Sequence, residues 1–197
     1  MGGILAHRHL GSLPQPRSGR RRGRRLIRRL VQSISRTVRR MAHRISLLAD
    51  QPELIADVAT MRWQEWGHPP EPEDPAWWLD ATAREAGRAA LPITFVASGD
   101  GAALGAVGLG QFDIEERRDL SPWVLGLIVR PDCRGTGVGL ALMDHLTHWA
   151  AEAAFTAAWA ATAGAEGFYS RCGWTATEKV FCASQGQTVT VLRKTLV

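Results

Sequence analysis

The chain has 197 residues, 45% hydrophobic and 22% charged, a balance that excludes a wholly disordered chain and suits one principal globular domain. Its formal charge of +5 invites a nucleic-acid-binding reading, but the charge is segregated. Residues 1–40 hold twelve arginines and no acid, whereas residues 41–197 hold twelve basic against nineteen acidic groups, a net of about −7, so the basic character belongs to the N-terminal segment alone.

Three cysteines, Cys133, Cys172 and Cys182, are odd in number and lack C-x-x-C spacing, which argues against a disulfide framework or a zinc knuckle and for a reduced, cytoplasmic setting. No stretch approaches the ~18 consecutive apolar residues of a membrane-spanning helix. The run from Ala150 to Ala163 is short and is broken by Glu152.

Residues 1–40, with the cluster Arg20-Arg21-Arg22-Gly23-Arg24-Arg25, are too charged and too poor in apolar residues for a core. Three readings compete: a solvated tail or nucleic-acid-binding arm, an Arg- and Ser-rich transit segment, and a start assigned too far upstream. The third is favoured because Met41 directly precedes the first strand-like segment. The folded domain is therefore expected over residues 41–197.

In chain order, Arg44 to Leu48 alternates as a short strand, and Asp50 followed by Pro52 reads as a helix N-cap with proline in the first turn. Leu54, Ile55, Val58, Met61, Arg62 and Trp66 recur at helical spacing, and Gly67 ends the helix. A loop over Glu71 to Pro75 leads to a second helical stretch carrying Trp77, Trp78 and Leu79. With Trp63 and Trp66 these tryptophans are candidates for either a pocket lining or a core. Strands are expected at Ile93–Ser98, Ala103–Asp113 and Trp123–Val129, the first two joined by a tight turn at Ser98-Gly99-Asp100-Gly101. A glycine-rich loop, a helix over Val138–Ala151, a strand near Phe155–Ala161, a short helix over Ala165–Arg171 and a terminal hairpin complete the chain. This order predicts an α/β (α+β) domain on a mixed, mostly antiparallel sheet flanked by helices.

The most informative segment is Leu127-Ile128-Val129-Arg130-Pro131-Asp132-Cys133-Arg134-Gly135-Thr136-Gly137-Val138-Gly139-Leu140. A strand runs into a turn, then glycines, then an amphipathic helix, so backbone N–H groups gather at the positive end of a helix. That is a place for a pyrophosphate, with Arg134 adding a charge-assisted bond. No Lys-Ser or Lys-Thr follows the glycines, and Gly135-x-Gly137-x-Gly139 lacks the G-x-G-x-x-G spacing, so neither a P-loop nor a dinucleotide fingerprint fits. A ligand-free strand-to-helix connection is the remaining alternative.

Arg134, Gly137 and Gly139, placed after the fourth strand, resemble the fingerprint of the GNAT superfamily of N-acetyltransferases. Phe168-Tyr169-Ser170-Arg171-Cys172-Gly173-Trp174 resembles a second block of that family, and the likeness spans about residues 44–197. The resemblance implies a GNAT-like fold and acetyl-CoA as co-substrate, held by Leu127, Ile128 and Val129 along its pantetheine arm and by Arg134, Gly135, Thr136, Gly137, Val138 and Gly139 at its pyrophosphate. Where the family often places an asparagine that holds the cofactor arm, Thr162 stands. The resemblance also implies that Tyr169 is the general acid for the departing thiolate, the alternative being a packed aromatic, and that a backbone N–H on a splayed strand near Leu127 to Val129 polarises the carbonyl. Homodimers are common in the family.

A base must deprotonate the incoming ammonium, and Asp113, Glu115, Glu116 and Asp119 lie between the third and fourth strands. Glu115, Glu116 and Asp119 are the candidates taken for that role, against the alternative of a solvated loop. His145 and His148, three apart on a helix, make a poor metal site alone, so no metal is expected. Cys133 and Cys172 lie beside the two motifs without a partner histidine, so direct transfer without an acyl-enzyme is expected. The net-negative domain favours a cationic acceptor, a small-molecule or peptide amine, with nucleic acid contacted only through residues 1–40. A catalytically silent module that senses acetyl-CoA or binds a partner or nucleic acid is the second class of function.

Overall fold

The computed structural model describes residues 43–196; the Arg-rich segment and the readings placed on it lie outside the described residues. Seven strands form one sheet in the order β1-β2-β3-β4-β5-β7-β6: β1 (Arg44–Leu47), β2 (Ile93–Gly99), β3 (Ala102–Gly110), β4 (Trp123–Val129), β5 (Ala157–Thr162), β6 (Thr175–Cys182) and β7 (Gln187–Thr195). Every neighbouring pair is antiparallel except β4 and β5. Four α-helices accompany it: α1 (Ile55–Trp66), α2 (Pro75–Arg84), α3 (Val138–Glu152) and α4 (Glu166–Arg171). The mixed, mostly antiparallel sheet with flanking helices is the architecture expected from the order of elements.

Local chemistry explains most boundaries. Asp100 and Gly101 both have positive φ, as the tight β2–β3 turn requires. In α3, Val138, Leu142, Met143, Leu146 and Ala150 are buried as one stripe, packed with Phe95, Leu104, Val107 and Ala160 on one face of the sheet. Leu54, Val58 and Met61 pack on Val96, Ala106 and Ile128 in a separate cluster involving α1.

The start of the first helix differs from expectation. Two 3-10 turns, Leu48–Asp50 and Pro52–Leu54, precede α1, and Asp50 ends the first of them instead of capping a helix. Its carboxylate is drawn to Arg88, with which it forms an ion pair. The second helix does begin on a capped turn: Asp74 accepts from the Ala76 N–H at 2.9 Å and Pro75 occupies the first position.

Candidate functional site

A notch in the sheet organises the site. Strands β4 and β5 share a single bridging pair, Trp123 with Trp159, and beyond it they separate. The cause lies in β4. Ala106 pairs with Ile128 and Gly108 with Leu125, so two steps along β3 face three along β4, a bulge at Gly126-Leu127. Gly126 has φ +50°, a conformation that favours glycine. The backbone groups of β4 that face β5 are therefore without ladder partners past Trp123, and such groups must find water or a ligand. Leu127, Ile128 and Val129 all lie on this segment.

The glycine loop stands at the end of β4. Gly135 and Gly137 have φ of +75° and +99°, and Gly137 is the N-cap of α3 with no side-chain cap on the helix. The first amides of α3, those of Val138 and Gly139 among them, have no acceptor one turn earlier in the helix, which leaves a positive end suited to an anion. Space beside Gly135 and Gly137 is open, with no atom within 4 Å of where a Cβ would stand. Thr136 is turned into the loop, its hydroxyl donating to the Cys133 carbonyl at 2.6 Å. Arg134 donates through Nε to the Val129 carbonyl at 2.9 Å and pairs through Nη2 with Glu65 of α1 at 2.7 Å. The pair is half-exposed and weak in water, so the guanidinium can turn to an anion at the loop.

Gly139 joins the two sequence blocks. A Cβ there would touch Val129 of β4 and Phe168 of α4, each at 3.4 Å, so a larger side chain would push α3 away from both. Beside Phe168, Tyr169 packs edge-on against Trp174 with ring centroids 5.7 Å apart and is 7% exposed. Burial raises its phenol, and the nearby charges of Asp113 and Cys172 act the same way, so it stays protonated at neutral pH. Thr162 is occupied locally: its hydroxyl accepts from the Ala165 N–H at 3.0 Å and the Gly164 N–H at 3.4 Å, shaping the approach to α4.

The four acids between β3 and β4 separate into two kinds. Glu115 is bound by Arg118 through two bonds of 2.5 and 2.6 Å, Glu116 accepts from the Ala183 N–H at 2.8 Å, and Asp119 is bound by Arg117 through two bonds of 2.9 Å. Hydrogen bonds lower the pKa of all three. Arg117 also pairs with Glu178, so this group ties the β3–β4 connection to β6 and the turn after it. Asp113 differs. The residue is open to water, while neighbouring atoms crowd its carboxyl. The loss of bulk hydration pushes its carboxyl up to about 6, helped by the charges of Glu71 and Glu85.

Glu71 and Glu85 arrive from elsewhere. The connection between α1 and α2 is pinned by two indoles, Trp63 donating to the Glu73 carbonyl at 2.9 Å and Trp78 to the Pro72 carbonyl at 2.8 Å, and Glu71 lies on it. Glu85 follows α2 and accepts from Arg62 at 2.7 Å. The tryptophans thus divide their work: Trp78 is buried against Trp66 and Trp77, at 6.3 and 5.1 Å, while Trp77 keeps 43% of its surface open. His145 packs edge-on against Phe95 at 4.9 Å, and His148 faces Glu152 at 3.3 Å. Among the described residues no group of three or more His, Cys, Asp or Glu is placed to hold a metal ion, and no helix is long and apolar enough to cross a membrane.

The splayed β4–β5 notch and the uncapped end of α3 stand beside α4, the helix that carries the buried Tyr169. Residues 55–174 match the acetyltransferase (GNAT) family, and the chain belongs to that family. No curated protein matches it. Among solved structures, the aminoglycoside 6'-N-acetyltransferase from Enterococcus faecium aligns at TM-score 0.63 and 14% identity, over 78% of this chain and 97% of its own. Ard1 from Thermoplasma volcanium aligns at 0.61 and 19%, over 79% and 99%. An aminoglycoside 6'-N-acetyltransferase complexed with coenzyme A aligns at 0.60 and 14%, over 78% and 97%. At these identities the likeness establishes the fold.

Proposed function

We propose that this protein transfers the acetyl group of acetyl-CoA directly to the amine of a small cationic acceptor. The observation that carries the reading is the notch itself, in which the unpaired edge of β4 ends at the open N-terminus of α3, beside the helix α4 that carries Tyr169. The amides of Gly135 to Gly139 would hold the pyrophosphate with Arg134, and the free edge over Leu127, Ile128 and Val129 would pair with the pantetheine arm. A β4 amide at the bulge would meet the thioester carbonyl and stabilise the oxyanion. Thr162 would act through the turn it shapes, holding no part of the cofactor itself.

Asp113 takes the role of base in this reading, in place of Glu115, Glu116 and Asp119, whose carboxylates are committed to local partners. A carboxyl at about 6 is ionised at neutral pH yet basic enough to relay a proton from an ammonium through water. The amine attacks the thioester carbonyl carbon, the C–S bond breaks, and the thiolate receives a proton from Tyr169, whose phenol is held in its protonated form. The Cys172 thiol is raised by burial, and the carboxylate beside the Cys133 thiol, Asp132, is held by Arg130 and lowered below its ordinary value, a weak base; these surroundings support transfer without an acyl-enzyme. The mutual influence of Glu71, Glu85 and Asp113 favours an acceptor with positive charge. The test is CoA release by the full chain with acetyl-CoA and a panel of spermidine, kanamycin and a neutral amino alcohol. Turnover with the polycations supports the reading. Acetyl-CoA binding with no release for any amine would favour the silent sensing module.

A further inference from the structure

Arg62 occupies a position that should be apolar. It lies in the buried stripe of α1 with Val58 and Met61, is 3% exposed, and makes two bonds through Nη1, to Glu85 at 2.7 Å and to the Thr82 hydroxyl at 3.3 Å. Its Nε and Nη2 have no partner, and with the Trp174 indole nitrogen they are the unpaired buried side-chain donors among the described residues. Each such donor has lost its water without gaining a partner, which destabilises the fold. A hydrocarbon of the same volume would avoid that cost, so packing alone does not account for the guanidinium.

The unpaired side of the guanidinium lies over Gly126. A Cβ on Gly126 would stand 3.2 Å from both Nε and Nη2, so the guanidinium lies flat over the one position where β4 bulges. Its other edge holds Glu85, one of the charges acting on Asp113. We propose that Arg62 is a positioning residue for the transfer step: wedged between Gly126 and Glu85, it fixes the shape of the strand that carries the acyl group and offsets the negative charge on the acceptor side. Both halves of the inference rest on the acetyl-transfer reading above, which gives the strand and the acceptor side their roles, while the contacts of Arg62 with Gly126 and Glu85 stand apart from it.

The charged and titratable groups facing Asp113 are Glu71 from the α1–α2 connection, Glu85 after α2 and Tyr169 of α4. Without Arg62, Asp113 meets the uncompensated charge of Glu85, and its ionised form becomes less favourable. The test uses the full chain with 13C-labelled aspartate, following the Asp113 carboxyl by NMR against pH, together with calorimetric Kd values for acetyl-CoA and CoA. In Arg62→Met the Asp113 midpoint should rise by about half a pH unit, and in Glu85→Gln it should fall by a similar amount. The preference for acetyl-CoA over CoA, which reports the contact of the carbonyl with the bulge, should shrink toward 1 in Arg62→Met. In Arg62→Lys, which restores charge without a planar fork, the midpoint should return while that preference does not.

Thermal melting of Arg62→Met should stay near wild type. If that variant does not fold, Glu85→Gln and Arg62→Lys carry the same two readouts. An Asp113 midpoint that does not move in any of these variants overturns the proposal, as does an unchanged acetyl-CoA preference in both Arg62 variants. A wild-type protein that binds neither acetyl-CoA nor CoA refutes the acetyl-transfer reading instead, and the titration still judges the link between Arg62 and Asp113.

Discussion

The two sides of the cleft are built in opposite ways. The proposed donor side is one continuous stretch, Gly126 to Gly139, in which backbone conformation would supply the chemistry: a bulge at Gly126, left-handed glycines at 135 and 137, and an uncapped helix. The proposed acceptor side draws on side chains far apart in the chain, with Glu71, Glu85 and Tyr169 each close enough to interact electrostatically with Asp113. A site made of backbone tolerates little change at a few positions, whereas a site made of charges can be tuned residue by residue.

The largest expected effect tests the donor side. Gly137→Asp puts a carboxylate at the anion site and forces a side chain onto a φ of +99°, so acetyl-CoA affinity should fall by at least about 100-fold, measured by calorimetry on protein shown to be folded by circular dichroism. On the acceptor side, Tyr169→Phe should lower kcat by about 100-fold with little change in the acetyl-CoA Kd, since it removes the proton donor and keeps the packed ring.

Asp113→Asn should lower kcat by about 100-fold and, unlike the other variants, should stabilise the protein. The sign follows from its raised pKa. The folded state favours the protonated carboxyl, so the contribution of Asp113 to stability is fully present below the unfolded value of 3.8 and is lost as pH rises through about 6. The variant should therefore melt higher at pH 7.5, by on the order of 1 kcal/mol once the water-open edge of the carboxyl is allowed for, and the gain should vanish below about pH 4. In the wild type, kcat/KM should drop as pH falls through about 6. The smallest effect should come from Glu115→Gln and Asp119→Asn, whose partners Arg118 and Arg117 lie in the same connection. Each should change kcat/KM by less than about threefold and leave the melting temperature near that of the wild type.

This asymmetry also governs how far the amino-acid sequence can be read. The apolar stripe of α3, the Asp100-Gly101 turn and the glycine loop are local patterns, and each is legible because the residues that interact are neighbours in the chain. Asp50 misleads as a cap because its carboxylate is taken by Arg88, 38 residues away. The Asp74-Pro75 pair, which does cap α2, carries the usual signal of an acid before a first-turn proline. The acids between β3 and β4 look alike in sequence. Glu115 and Asp119 meet arginines three and two residues away, a local pairing, whereas the bond of Glu116 to Ala183 and the approach of Glu71 and Glu85 to Asp113 are settled by tertiary contact. One signal for the acceptor side was present: Arg62 stands inside an apolar helical stripe, where a charge is costly and calls for a reason.

The most direct test of the central claim is titration of acetyl-CoA into the full-length protein by calorimetry, beside the same titration into Gly137→Asp. The account predicts saturable binding of one acetyl-CoA per chain that is lost in the variant. A folded wild-type protein that releases no heat of binding would contradict it.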